Sequence, residues 1–315
     1  MSSNTYLSKE SSRKKPQTLL QLIEFENYGF ENILDKFRNL NNRRFHNNNT
    51  SNYSLPNDKI EINRLQLSHM LLKNAFGGNF SSPVHNKLSD GISVLDVGCG
   101  AGHWVIENAE KYPKSTFVGL DMSPIFPKDD KPQNAGFIEC NVLDGGLPFP
   151  SNTFDFVHQK LIHAEFTENQ WLLLIKEIAR VLKPSGYAEF MEVENYIHNS
   201  RPHLKEFQEK VKRFYEANNL CFDIATKLKD FIDYTKCFSE VKIDTRKIPV
   251  GKWGGFFGEL MLIYLCMTTE AFATMKGKMI NCTKEEYDKI YENIYKEIEE
   301  SNTNLVYKRF YAQKI

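Results

Sequence analysis

The segment Val94-Leu95-Asp96-Val97-Gly98-Cys99-Gly100-Ala101-Gly102-His103 constrains the fold of this 315-residue chain more than any other. A run of strand character ends in glycines at alternate positions, and helix-like spacing follows. Glycine at 98, 100 and 102 lets the main chain take positive φ and lets a ligand approach it closely. A helix that starts after such a turn aims its first N–H groups and its dipole at the same ligand. Strand, turn and helix together read as a nucleotide-type binding turn.

The order of the glycines narrows the nucleotide. A dinucleotide fingerprint runs G-x-G-x-x-G, its third glycine allowing close helix–strand packing. Here the third glycine arrives one residue early and His103 takes its place, which opposes a nicotinamide coenzyme. Beyond Gly100 a second apolar run, Thr116-Phe117-Val118-Gly119-Leu120, ends in Asp121. That carboxylate is placed to accept hydrogen bonds from a ribose diol, although Asp121-Met122-Ser123-Pro124 also reads as a helix N-cap or turn. A third segment runs from Gly136 through Asn141-Val142-Leu143-Asp144 to Leu147-Pro148-Phe149. Phe154–Gln159 and Tyr187–Val193 are further strand candidates. Between them Trp171, Ile175, Ile178 and Leu182 recur at i, i+4, i+7 and i+11, the stripe of an amphipathic helix.

In this order the segments resemble the motifs of the class I S-adenosylmethionine-dependent methyltransferases, the run Glu177–Gly186 included. The resemblance implies S-adenosyl-L-methionine as cofactor. It also implies an α/β fold with a seven-stranded, mostly parallel Rossmann-like sheet in the order 3-2-1-4-5-7-6, the last strand antiparallel. Helices would cover both faces, with an added helical cover over the carboxyl ends of the strands. Outlying motifs are similar to a fungal branch of small methyltransferases that includes regulator-like members. They are Tyr53–Asp58 with Glu61, Arg64 and Leu65, then Phe76–Phe80, Val157-His158-Gln159, Trp253-Gly254-Gly255 and Tyr307–Lys314.

Carried onto this chain, the family pattern implies a cofactor set of Tyr53, Arg64, Asp96, Gly98, Gly100, Asp121, Met122, Asn141, Val142, His158 and Gln159. Asp96 would orient the methionine amine, Asp121 the ribose, and Asn141 the adenine amino group with Val142 over the ring. Many members carry Asp where Asn141 stands; Asn supplies a neutral acceptor and a donor instead. Arg64 would meet the methionine carboxylate, the bland alternative being an exposed helix arginine. Candidates for a general base are His158, His163 and Glu192. The sulfonium already activates the methyl group, so a dedicated base is not required. No Asn/Asp-Pro-Pro-Tyr segment or Pro-Cys pair follows the fourth strand, which disfavours adenine-amino and cytosine-C5 methylation of DNA.

Composition agrees with an ordinary globular protein: 41% hydrophobic, 25% charged, with 40 basic against 40 acidic residues. A net charge of zero offers no basic field for nucleic acid. The six cysteines contain no C-x-x-C pair and imply reduced thiols and no metal site. No signal peptide or membrane-spanning run is evident, so the expected place is cytoplasmic, with nuclear entry the alternative raised by Arg13-Lys14-Lys15. Residues 1–52 read as a polar, partly disordered segment with helix-like spacing over 19–40 and an Asn-rich linker from 41 to 52. The folded domain is expected from 53 to 315, with helical insertions over about 196–235 and 253–282 covering the cleft. The function expected is methyl transfer to O or N of a small molecule. Methylation of a protein partner, or a cofactor-binding regulatory subunit with little turnover, are the alternatives.

Overall fold

The computed structural model describes residues 37–40, 43–47, 55–162, 166–279 and 283–315. Two short strands, β1 (Phe37–Leu40) and β2 (Arg43–His46), pair antiparallel ahead of the main sheet. Seven strands form that sheet: β3 (Ser93–Val97), β4 (Thr116–Asp121), β5 (Ala135–Glu139), β6 (Phe154–Lys160), β7 (Leu182–Val193), β8 (Lys242–Pro249) and β9 (Asn304–Gln313). They lie in the order β5-β4-β3-β6-β7-β9-β8. β3 to β7 run parallel, and β9 is antiparallel to both neighbours. Numbered within the sheet, this is the expected 3-2-1-4-5-7-6.

The strand sequences explain the arrangement. Val94 to Val97 are all buried, the near-continuous apolar run of a parallel strand covered on both faces. One face packs Leu95, Val97, Trp171, Ile175 and Ile178 into a core. The other packs Val94, Trp104, Val105 and Phe156. The helices on these faces are α2 (His85–Asp90), α3 (His103–Lys111), α4 (Glu168–Val181) and α6 (Ile224–Thr235), while α1 (Lys59–Phe76) buries Leu71, Leu72 and Phe76 in a third cluster. α4 starts where Thr167 and Gln170 form a capping box, and it buries Trp171, Ile175 and Ile178 along the expected stripe. Full burial of each such side chain contributes about 1.5–3 kcal/mol.

α5 (Pro202–Ala217), α7 (Gly255–Met279) and α8 (Lys284–Glu299) form the cover. It has its own apolar cluster, in which Leu204, Met261, Leu262, Ile294 and Ile298 meet Leu72 of α1 and Tyr307 of β9. α1 begins at Asp58, whose side chain accepts from Glu61 N, and ends at Gly77 in the left-handed conformation.

Parallel register puts the functional turns side by side. Val97 is paired with Leu120 on one flank and Gln159 on the other. The next residues, Gly98, Asp121 and Lys160, therefore stand level across the carboxyl ends of three adjacent strands.

Three expectations need correction. Of the helix expected over 19–40, residues 19–36 lie outside the described residues, and Phe37–Leu40 is a strand. Part of the expected linker, Arg43–His46, is strand β2. Contacts distant in sequence hold that hairpin: Phe45 is buried, Asn57 N donates to Arg44 O at 2.7 Å, and Arg44 Nε donates to Asn57 Oδ1 at 2.9 Å. Local spacing carries no trace of such docking. The strand expected to start at Tyr187 starts at Leu182, residues 183–186 bulging from the ladder with Ser185 at φ 61°.

A candidate cofactor and acceptor cavity

The turn after β3 is shaped by its glycines. Gly98, Gly100 and Gly102 have φ of 71°, 55° and 79°, values costly for residues with a Cβ. Space adds a second demand, since a Cβ on Gly98 would stand 2.6 Å from Ile162 Cγ2 and one on Gly102 would stand 2.6 Å from Phe137 Cζ. Gly98 N and Cys99 N both donate to Leu120 O, and Gly100 N donates to Asp121 Oδ2 at 2.8 Å. α3 then starts behind Gly102 with no side chain capping it. Its first N–H groups have no intrahelical partner and form an anion-seeking end.

A cavity of about 270 Å³ opens on this turn and continues under the cover. Its near end is polar, lined by Asp96, Gly98, Gly100, Asp121, His103 and Lys160. Its far end is largely apolar, with Leu204, Phe207, Tyr215, Leu262, Ile294 and Tyr307 contributed by α5, α7, α8 and β9. α1 closes one side with Leu65, Ser68 and His69.

Of the residues expected to hold a cofactor, Arg64, Asp96, Gly98, Gly100 and Asp121 line this cavity. Asp121 Oδ1 accepts from Ser123 N at 2.8 Å, a local turn, and no helix follows before β5. Burial raises its carboxyl to about 6 against the lowering effect of the Ser123 and Gly100 N–H bonds. Each oxygen keeps lone-pair capacity beyond these bonds. Arg64 is buried, not an exposed helix arginine. Its Nε and Nη2 grip Glu61 at 2.8 and 2.6 Å, while Nη1 reaches Tyr264 Oη at 3.2 Å and Thr268 Oγ1 at 3.3 Å. The guanidinium thus clamps α1 to α7.

The others fall elsewhere. Met122, Asn141 and Val142 stand at and just beyond the ends of β4 and β5 without lining the cavity. Asn141 forms a local turn, accepting from Leu143 N and donating to Asp144 Oδ2, each at 3.1 Å. His158 and Gln159 are buried behind the lining. His158 Nδ1 bonds Asp96 Oδ1 at 2.7 Å, its ring stacks on Trp104 at 4.1 Å, and among the described residues its Nε2 has no hydrogen-bond partner. Any influence of His158 on a ligand is therefore transmitted through Asp96. Glu192 is fully buried, its Oε1 accepting from Gln159 Nε2 at 2.7 Å and Ile162 N at 3.0 Å. It braces the turn after β6, where Leu161 holds φ 56°. Tyr53 and His163 lie outside the described residues.

Sequence reasoning missed Lys160, one residue past the expected end of the fourth sheet strand. A cation following an apolar strand resembles any solvated strand end, and only the braced turn directs it inward. Burial is the main reason its ammonium sits low, at about 8, with Arg309 adding to the effect and the Asp96 and Glu107 carboxylates opposing it. His69 and His103, also on the lining, are depressed chiefly by burial, with the Lys160 charge second; His69 is at about 4. His69 Nε2 meets Glu107 Oε2 at 2.7 Å. Among the described residues no group of His, Cys, Asp and Glu could hold a metal ion, and no helix is long and apolar enough to cross a membrane.

The residues fit an adenosyl ligand: a glycine cradle that a methyl group would obstruct, an uncapped helix start and a carboxylate with spare lone pairs one strand away. The family described as Methyltransferase domain matches residues 94–186. The N-methyltransferase sirN of Leptosphaeria maculans is 31% identical over 169 residues, 52% of this chain and 58% of that protein. The methyltransferase pytC of Aspergillus terreus is 27% identical over 257 residues, 78% of this chain and 77% of that protein. The secondary metabolism regulator laeA of Coprinopsis cinerea is 28% identical over 220 residues, 63% of this chain and 53% of that protein. The chain thus spans less than two thirds of the sirN and laeA relatives' own lengths.

Proposed function

We propose that this chain, whose residues 94–186 match the family described as Methyltransferase domain, is a class I S-adenosylmethionine-dependent methyltransferase that transfers a methyl group to oxygen or nitrogen of a small-molecule acceptor. The observation that carries the reading is the shared lining of one cavity, to which the glycine turn and apolar side chains of α5, α7 and α8 all contribute. The polar end suits the donor and the apolar end suits the acceptor. The domain then comprises residues 53–315, and α5 and α7 of the expected cover select the acceptor together with α8, whereas α6 packs on the sheet and does not line the cavity.

In this reading Asp121 accepts from the ribose, and the Gly98–Gly102 backbone gives the ligand room. Asp96, oriented by His158, holds the donor's amine through a charge-assisted hydrogen bond. S-adenosylmethionine, when bound, supplies a methyl group already activated by its sulfonium. The protein's work is alignment and exclusion of water. The Arg64 clamp between α1 and α7 keeps the chamber closed on the side of the N-terminal helix. Asn141 and Val142 would bound the adenine from the end of β5.

The relatives also include a regulator, and similarity to laeA supports a second reading in which the domain binds its cofactor and acts through a protein partner with little turnover. Isotopically labelled methyl donor, incubated with the protein and extracts of small molecules or of proteins, separates the two. Label in a small organic product supports the proposal. Cofactor binding with no labelled product would refute it in favour of the second reading, and label only in protein would refute it in favour of a protein methyltransferase.

A further inference from the structure

We propose that Lys160 is the anchor for the carboxylate at the amino-acid end of the donor, with Asp121 marking the ribose end on the opposite flank of the glycine turn. This rests on the cofactor reading above and adds a residue that reading does not contain.

Register supplies the first argument. Asp121, Gly98 and Lys160 stand level on β4, β3 and β6. Neighbouring strands are about 4.8 Å apart, so the outer two backbones are separated by roughly 10 Å. A carboxylate and an ammonium carried by those two strand ends, on either side of a backbone cradle, suit a ligand with a diol at one end and an anion at the other. Alternation supplies the second. Lys160 is two residues beyond His158, so its side chain leaves the sheet on the same face, over Trp104 and toward the start of α3. There it joins Asp96, His69 and His103 on the cavity wall.

The third argument is a comparison with Arg64 and His69 on the same wall. Arg64, which the sequence assigns to this carboxylate, is gripped at Nε and Nη2 by Glu61. His69 is engaged by Glu107, which also binds Lys73 and Asn79. No hydrogen bond or ion pair engages the Lys160 ammonium among the described residues. The turn beyond it is held in a strained form, Leu161 at φ 56° with Leu161 N on Met191 O and Ile162 N on Glu192. Such strain persists only where surrounding contacts enforce it, and here its effect is to fix where Lys160 enters.

The electrostatics give the proposal a signature. Asp96 on β3 and Glu107 on α3 favour the ammonium, while Arg309 on β9 and burial oppose it; His103 on α3 and His69 on α1 complete the neighbourhood. An arriving carboxylate tips this balance toward the charged form. Binding above pH 8 is therefore accompanied by proton uptake on Lys160.

The test is calorimetric titration at pH 8.5 in two buffers of different ionisation enthalpy. S-adenosylhomocysteine is compared with 5′-methylthioadenosine, which lacks the amino-acid part. The wild-type protein takes up a fraction of a proton with the first ligand and none with the second. Lys160→Met weakens S-adenosylhomocysteine by about 10- to 100-fold, the loss of one charge-assisted contact. It abolishes the uptake and leaves methylthioadenosine unaffected. Lys160→Arg keeps S-adenosylhomocysteine within a few-fold of wild type, without uptake. Unchanged S-adenosylhomocysteine affinity in Lys160→Met, persisting uptake, or equal loss of both ligands would overturn the assignment. Failure of both ligands to bind the wild-type protein would instead strike the cofactor reading itself.

Discussion

Gly98→Ala separates two costs that the structure combines at the glycine turn. The backbone cost follows from φ 71°, where a Cβ meets the following carbonyl and costs about 1–2 kcal/mol. The packing cost follows from the 2.6 Å that would separate the new methyl from Ile162 Cγ2. Ile162 cannot simply step aside, because its N–H is bonded to Glu192 and its neighbour Leu161 is already in the left-handed region. Overpacking of this kind costs about 1–3 kcal/mol. Gly77→Ala is the control: φ there is 69°, yet among the described residues nothing lies within 4 Å of the new methyl. Urea unfolding, read as the midpoint shift at constant slope, should place Gly77→Ala about 1–2 kcal/mol below wild type and Gly98→Ala about 2–5 kcal/mol below it. Calorimetry should show S-adenosylhomocysteine affinity lost in Gly98→Ala and kept in Gly77→Ala. Equal destabilisation of the two variants would refute the packing argument, and retained affinity in Gly98→Ala would refute the cradle.

Asp121→Asn should weaken S-adenosylhomocysteine by about 10- to 100-fold, the loss of a charged acceptor, while raising stability at pH 7. The sign follows from a native carboxyl held near 6 against an ordinary value of 3.8. The native state keeps a proton that the unfolded chain gives up between these values, so the wild-type cost develops as pH rises from 4 to 6 and amounts to about 2–3 kcal/mol at most above it. Unfolding free energies at pH 4 and 7 check this, and a variant gain that is equal at both would contradict it. His69, held near 4 from an ordinary 6.5, leaves the unfolded state binding more protons between those values. Wild-type stability should therefore fall on acidification through that window, and His69→Gln should flatten the slope measured by pH-dependent unfolding. Arg64→Met strands the buried Glu61 carboxylate; unfolding should show a loss of about 3–5 kcal/mol, and a loss below 1 kcal/mol would show that the clamp is inessential.

The sheet was legible because its signals are local. Each parallel strand is a short apolar run ending in a turn, and the order of the turns identified the strand order through family resemblance. The glycines of the turn were legible for the same reason, since backbone demands there leave few choices of residue. Lys160 was not, because its direction depends on the Leu161 turn, and that turn is fixed by Glu192 thirty-one residues away on β7. Glu192, a candidate base in the sequence, is buried against Gln159 and the turn after β6. His158, expected beside the ligand, lies behind Asp96, because strand alternation and the stacking on Trp104 decide depth, which a single sequence does not display. Arg64 illustrates the same limit: the i,i+3 spacing from Glu61 is visible in the chain, but burial of the pair under α7 is not.

The most direct measurement is a crystal structure of the protein grown with S-adenosylhomocysteine. The ligand is predicted to lie along the Gly98–Gly102 turn with its ribose hydroxyls on Asp121 and its sulfur facing the apolar chamber under α5, α7 and α8. Density for the ligand elsewhere, or in this crevice with the ribose turned away from Asp121, would contradict the account.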